Sequence, residues 1–167
     1  MTTSDLFFLD KSDAGSWQAL NGLALKVAAA AGEAGLSRSV VELVNVRISQ
    51  LNGCAYCLYL HSCDAGEVGV TGQQLAVLPT WREAAVFTDV ERAALAIGEA
   101  ATVLPDADTR VRELAAARLQ LSDAQWPALQ WAAVTMNAFN RVSILSRHPV
   151  RPRANTSTRP AVAGAES

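Results

Sequence analysis

The stretch that decides the fold of this 167-residue chain runs from Glu42 to Cys63 and reads ELVNVRISQLNGCAYCLYLHSC. It is apolar, helical in its periodicity and interrupted once, at Asn52-Gly53, a dipeptide that ends a helix. Ser37 or Ser39 caps the helix that approaches the break, and another helix starts near Cys54. If the second helix folds back antiparallel on the first, Glu42 lies roughly 13 Å behind the turn and His61 roughly 12 Å beyond it. The carboxylate and the imidazole then come level across a helical hairpin, with Cys57 one turn nearer the bend.

The same stretch holds all three cysteines of the chain and one of its two histidines. Cys54 and Cys57 fall in the first turn and a half of the second helix, where positions three apart share a face. Unpaired N–H groups and the positive end of the helix dipole favour an anion there, so a lowered thiol pKa is expected. His61 follows Cys57 by one turn and can take its proton, directly or through a water. A carboxylate at Glu42 fixes the tautomer of that imidazole and raises its basicity. The spacing builds a relay Glu42–His61–Cys57–Cys54. Cys63 sits about 200° around the helix from His61 and reads as a small buried hydrophobe.

Other chemistries compete for these residues. Zinc is the strongest rival, because Cys54, Cys57 and His61 are ligand types and Glu42 would complete a tetrahedron. Structural zinc sites, however, draw ligand pairs from separate segments, whereas three of these come from one helix. A thioredoxin-type domain needs its CxxC in a βαβ setting, and no strand signal surrounds this one. Plain core packing of two cysteines is the remaining alternative.

The rest of the chain agrees with an all-α domain of six or seven helices. Trp17, Leu20, Leu23, Val27 and Ala30 mark a helix over Ser16 to Ala34. After the hairpin, Thr71 caps a short helix that ends at Pro79, and WREAAVF forms a connection. Thr88 to Glu91 reads as a capping box. Asp106 or Asp108 caps the next helix, to about Leu119. Ser122-Asp123 caps the last one, to about Ser146, with Pro127 tolerated near its start. The organisation is an N-terminal arm over 1–15, a helical domain over 16–146, and a tail over 147–167 that His148-Pro149 opens. Pro, Arg, Ser, Thr and Ala fill that tail without apolar periodicity, so it is expected to be disordered.

Bulk composition sets limits on partners. The chain is 50% hydrophobic and 18% charged, with net charge −2 and a pI near 5.6. That balance gives no electrostatic footprint for nucleic acid and no polybasic membrane patch. No apolar run approaches the roughly 20 residues that cross a bilayer. MTTSDLFFLDKSD lacks the basic and apolar regions of a secretory signal, so a cytoplasmic location is expected. In a reducing compartment a close cysteine pair points to catalysis or metal rather than a structural disulfide.

Glu42, eleven residues, Cys54, two residues, Cys57, three residues and His61 reproduce the signature of AhpD-like alkylhydroperoxidases, within the carboxymuconolactone decarboxylase superfamily. WREAAVFTDVERAALAIGEAAT and the late NAFNR, Asn137 to Arg141, resemble that group too, and the similarity covers roughly residues 16 to 146. The resemblance implies an all-helical subunit that forms homotrimers or higher oligomers, with active sites near subunit interfaces. It implies a thiol peroxidase in which Cys57 is the nucleophile that becomes a sulfenic acid. Cys54 would supply a proton and then resolve that acid into a disulfide, while Glu42 and His61 relay protons. A hydroperoxide is the implied substrate, a lipoylated or thioredoxin-like dithiol protein the implied reductant, and no metal or flavin is needed.

The chain departs from the best-described members by carrying Tyr56, not histidine, before the nucleophilic cysteine. The reaction type therefore carries over better than the substrate. True carboxymuconolactone decarboxylases lack the thiol pair, which sets their lactone chemistry aside here. A thiol–disulfide oxidoreductase or redox sensor without peroxide turnover is the alternative function, ahead of a zinc-binding structural domain. Asn137, Asn140 and Arg141 either line a substrate pocket or tie neighbouring helices, the structural role being favoured.

Overall fold

A computed structural model describes residues 7–151. Within this range every regular element is helical: α1 (Leu9–Ser12), α2 (Ala14–Glu33), α3 (Arg38–Asn52), α4 (Ala55–Glu67), α5 (Gly72–Val77), a 3-10 turn (Leu78–Glu83), α6 (Asp89–Val103), α7 (Ala107–Arg118) and α8 (Gln125–Ser146). Helices α2 to α8 answer one for one to the seven that the sequence predicts. The expected N-terminal arm and tail lie partly outside the described residues.

The predicted caps are in place. Ser37 accepts from the Val40 N–H, and Asp106 accepts from the Thr109 N–H. Thr71 and Thr88 each close a capping box, with Gln74 and Glu91 respectively. Ser122 Oγ accepts from Gln125 N while Gln125 Oε1 accepts from Ser122 N, so α8 starts through the same reciprocal pairing. Pro127 falls within the first turn of α8, where its missing N–H has no intrahelical partner to lose.

Helix α3 is the axis of the domain, packed against α4, α6 and α8. Leu43, Val44 and Ile48 are fully buried on it, and face Leu95 and Ile97 of α6 and Leu129 of α8 across one continuous core. Each such side chain contributes about 1.5–3 kcal/mol by leaving water. Small residues set the α3–α6 spacing: a Cβ added at Gly98 would stand 3.1 Å from Val44 Cγ1.

Two polar clusters lock this packing. At the hairpin end, the Asn52 amide donates to Asn137 Oδ1 at 2.9 Å and to Asn140 Oδ1 at 3.1 Å. Arg141 donates to Asn52 Oδ1 and Asn137 Oδ1, and Asn140 Nδ2 donates to Ser49 Oγ. Asn137, Asn140 and Arg141 therefore tie α8 to the bend of the α3–α4 hairpin, and the structural role prevails over pocket lining. Asn140 is fully buried, so Asn140→Ala is expected to lower stability by about 1–3 kcal/mol, since it strands the Asn52 donor. Urea unfolding of the two proteins measures this; an unchanged midpoint would contradict the locking role.

The second cluster draws the first three residues of the connection expected at WREAAVF into the 3-10 turn, and residues 84–87 remain a connection. Trp81 is buried, its indole N–H donates to Glu99 at 3.0 Å, and the Arg92 guanidinium caps the carbonyls of Trp81, Arg82 and Ala84. Glu99 also accepts from Arg47 Nε at 2.7 Å and from Arg82. A segment without periodicity is thus shaped by tertiary partners.

Helix α1 is the element that the sequence does not announce. Four residues carry no periodicity of their own, and α1 is held from outside, by the Leu9 N–H donating to Ser146 Oγ at 2.9 Å and by Asp10 on His148.

Candidate active site

The bend of the hairpin is a Schellman turn. Gly53 takes φ 68°, the Gly53 N–H returns to Gln50 O, and the Cys54 N–H returns to Ser49 O. A left-handed residue is needed there, which glycine supplies without steric cost. Cys54 closes that motif and at once caps α4, its sulfur accepting from the Cys57 N–H at 3.4 Å.

Both thiols are free and buried. The Cys54 and Cys57 sulfurs share a hydrogen bond across 2.7 Å, so a bond of about 2.05 Å requires less than an ångström of approach. Across the hairpin, His61 Nδ1 and Glu42 Oε2 stand 2.7 Å apart, as the register of the two helices requires. Glu42 is buried and also accepts from Asn45 Nδ2, while Arg38 lies 3.8 Å from its second oxygen.

Two expectations need correction. A lowered thiol pKa was expected from the helix start, but Cys57 is pushed up to about 12. Burial is the main cause and the Cys54 hydrogen bond the next; a hydrogen bond from Ser143 works in the opposite direction. Desolvation of a thiolate inside the core outweighs the dipole of one helix. Cys63, expected to be a buried hydrophobe, is half-buried.

The four residues of the expected relay are not joined end to end. Among the described residues, no hydrogen bond links His61 to either sulfur. His61 and Cys57 instead face one cavity of about 720 Å³, together with Ser143, His148, Trp17 and Phe139. Tyr56 sets its ring edge against the His148 ring, with centroids 5.2 Å apart. Nor does the fold gather the zinc set of Cys54, Cys57, His61 and Glu42. Glu42, His61 and Asp64 come within 4.8 Å of one another and leave both sulfurs out. The 2.7 Å between Glu42 and His61 is a hydrogen bond, closer than the roughly 3.3 Å between two ligands of a tetrahedral zinc.

Sequence reasoning missed Ser143, Asp10 and the side-chain role of His148. Ser143 and His148 are five apart on no recognised motif, and Asp10 is more than 130 residues from either. The one available signal was that His148 is the only other histidine of the chain.

An all-helical domain with a buried dithiol at a helix start, beside a carboxylate–histidine pair, has the AhpD-like fold. Residues 17–100 match the model of the carboxymuconolactone decarboxylase family. The chain belongs to that family. It is 31% identical to the uncharacterized protein YdfG of Bacillus subtilis over 112 residues, 67% of this chain and 76% of YdfG. It is 36% identical to the uncharacterized protein YnjA of Escherichia coli over 66 residues, 40% of this chain and 36% of YnjA. A crystal structure of an Agrobacterium tumefaciens protein of unknown function, provisionally assigned as the antioxidant defence protein AhpD, superposes with a TM-score of 0.71 at 27% identity. That match covers 87% of this chain and 99% of the other. Among the described residues, no helix is long and apolar enough to cross a membrane.

Proposed function

We propose that this protein is a thiol-dependent peroxidase of the alkylhydroperoxidase type. The observation that carries the proposal is the pair of free, buried sulfurs 2.7 Å apart, of which Cys57 faces a cavity that a carboxylate-backed histidine shares. The Cys57 thiolate attacks the distal oxygen of a hydroperoxide. An S–O bond forms, the O–O bond breaks, and the leaving alkoxide takes up the proton that Cys57 gave away. Cys54 then attacks the Cys57 sulfur, an S–S bond forms, and water departs. Two electrons from an external dithiol reopen the disulfide. Glu42 and His61 hold a proton at the wall of the cavity during these steps.

Burial of Cys57 favours this reading over a thiol–disulfide exchanger. A small hydroperoxide, or a slender lipoyl arm, reaches a sulfur that is 5% exposed more readily than the cysteine of a folded protein does. Assembly of several copies belongs to the same proposal. Leu25 of α2 and Trp131, Val134 and Leu145 of α8 are exposed apolar side chains of the kind that subunit contacts cover.

Peroxide titration of the reduced protein, read by mass spectrometry, tests the proposal. One equivalent is expected to remove two hydrogens and to place a disulfide between Cys54 and Cys57. In Cys54→Ser the reaction is expected to stop after one event, with dimedone labelling a sulfenic acid on Cys57. If oxidation produces neither product, the peroxidase reading fails.

A further inference from the structure

A second carboxylate–histidine pair lies on the other side of Cys57. Ser143 of α8 is buried on the wall of the cavity that Cys57 faces, and its hydroxyl favours the Cys57 thiolate. Its hydroxyl is 3.2 Å from His148 Nδ1, and His148 Nε2 is 3.1 Å from Asp10 Oδ1. We propose that Asp10, His148 and Ser143 form a proton chain ending on Cys57, with Ser143 as the catalytic hydroxyl and His148 and Asp10 as positioning residues acting through it.

The imidazole is fixed on both nitrogens and on its ring. Phe8 stacks on it with centroids 5.9 Å apart, and Tyr56 meets it edge-on. It reaches this position because α8 ends in a Schellman turn: Arg147 takes φ 51°, and the His148 N–H returns to Ser143 O at 3.2 Å. A left-handed non-glycine residue is strained and persists where its surroundings impose it. Other charged or titratable groups face the cavity around the imidazole: Lys11 of α1, Tyr59 and His61 of α4, and Arg151. Arg147 adjoins it in the chain. Asp10 is the group that bonds it directly.

With Asp10 accepting from Nε2–H, Nδ1 is left as the acceptor for the Ser143 hydroxyl. The Cys57 proton passes to Ser143 Oγ as the serine proton passes to His148, and the imidazolium forms beside Asp10. When the O–O bond breaks, the same route returns that proton to the alkoxide, so the thiol proton ends on the alcohol. His61, backed by Glu42, faces the cavity without a bond to either sulfur, which leaves this chain as the direct route to Cys57. All three residues lie outside the segment, 17–100, that matches the family model.

The proposal rests on the peroxidase reading, but its test needs no peroxide. In a Cys54→Ser background, the rate of Cys57 alkylation by iodoacetamide is followed against pH by peptide mass spectrometry, with Cys63 as internal control. Ser143→Ala and His148→Gln are each expected to slow Cys57 labelling at pH 7 by about tenfold or more and to move its midpoint to higher pH, leaving Cys63 unchanged. Asp10→Asn, which preserves shape, is expected to move the midpoint the same way by less. A purely structural role predicts the opposite: faster labelling at every pH as the cover over Cys57 loosens, with the midpoint unmoved. That result, or no change in any of the three variants, overturns the chain. Absence of peroxide turnover alongside a shifted midpoint would instead overturn the peroxidase reading alone.

Discussion

Cys57→Ser is expected to abolish hydroperoxide turnover, a loss of a thousandfold or more, on the order of what removal of a nucleophile costs in other enzymes. Serine preserves the volume at α4 and the Ser143 contact, but its hydroxyl ionises far above the thiol and its oxygen cannot accept the peroxide oxygen. Consumption of a hydroperoxide with dihydrolipoamide as donor measures the effect, and Cys63→Ser serves as the control that keeps activity. The pH dependence follows from the same burial. Because Cys57 is pushed up to about 12 in the resting protein, the thiol is protonated near neutrality and the rate is expected to rise from pH 7 to pH 9. Full activity in Cys57→Ser would remove the peroxidase proposal, and a flat profile would remove the protonated resting thiol.

Glu99→Ala is expected to carry the largest stability loss, about 3 kcal/mol. The Glu99 carboxylate accepts from Arg47 of α3 and from Trp81 and Arg82 of the 3-10 turn, and the Arg47 and Glu99 side chains are 14% and 13% exposed. Removing the carboxylate leaves Arg47 as an unpaired, largely buried charge, the situation that costs most among ion-pair deletions. Arg82 is 47% exposed and adds little because solvent screens it. Burial alone raises the Glu99 carboxyl, but the bonds from Arg82, Trp81 and Arg47 outweigh it and hold it below its ordinary value. A depressed carboxylate stabilises the fold above its unfolded pKa, near 4.3, and the stabilisation is lost as pH falls through the lower folded value. Urea midpoints at pH 7 and at pH 3 check both statements. The gap between wild type and Glu99→Ala is expected to narrow in acid, and equal midpoints at pH 7 would show that the cluster stabilises nothing.

Much of the hairpin was legible because its determinants are local. Helical rise, a left-handed glycine and side chains that cap from three residues away fix where Glu42 meets His61 and where Cys54 and Cys57 stand. The same locality explains the success at Ser37, Thr71, Thr88, Asp106 and Ser122, each of which bonds an N–H three residues along. WRE of the 3-10 turn escaped this logic, because its conformation depends on Glu99 and Arg92 from the next helix.

What the sequence determined by itself, then, is the helical class, the bend at Gly53 and the register that pairs a carboxylate with an imidazole across it. The tertiary structure alone decided the state of Cys57, since desolvation depends on what packs over a sulfur rather than on its helix. It alone also decided that Ser143, His148 and Asp10 join on the wall of the cavity that Cys57 faces. Their meeting follows from α1 and the end of α8 closing over the hairpin, and no short-range rule of spacing joins residues more than 130 positions apart.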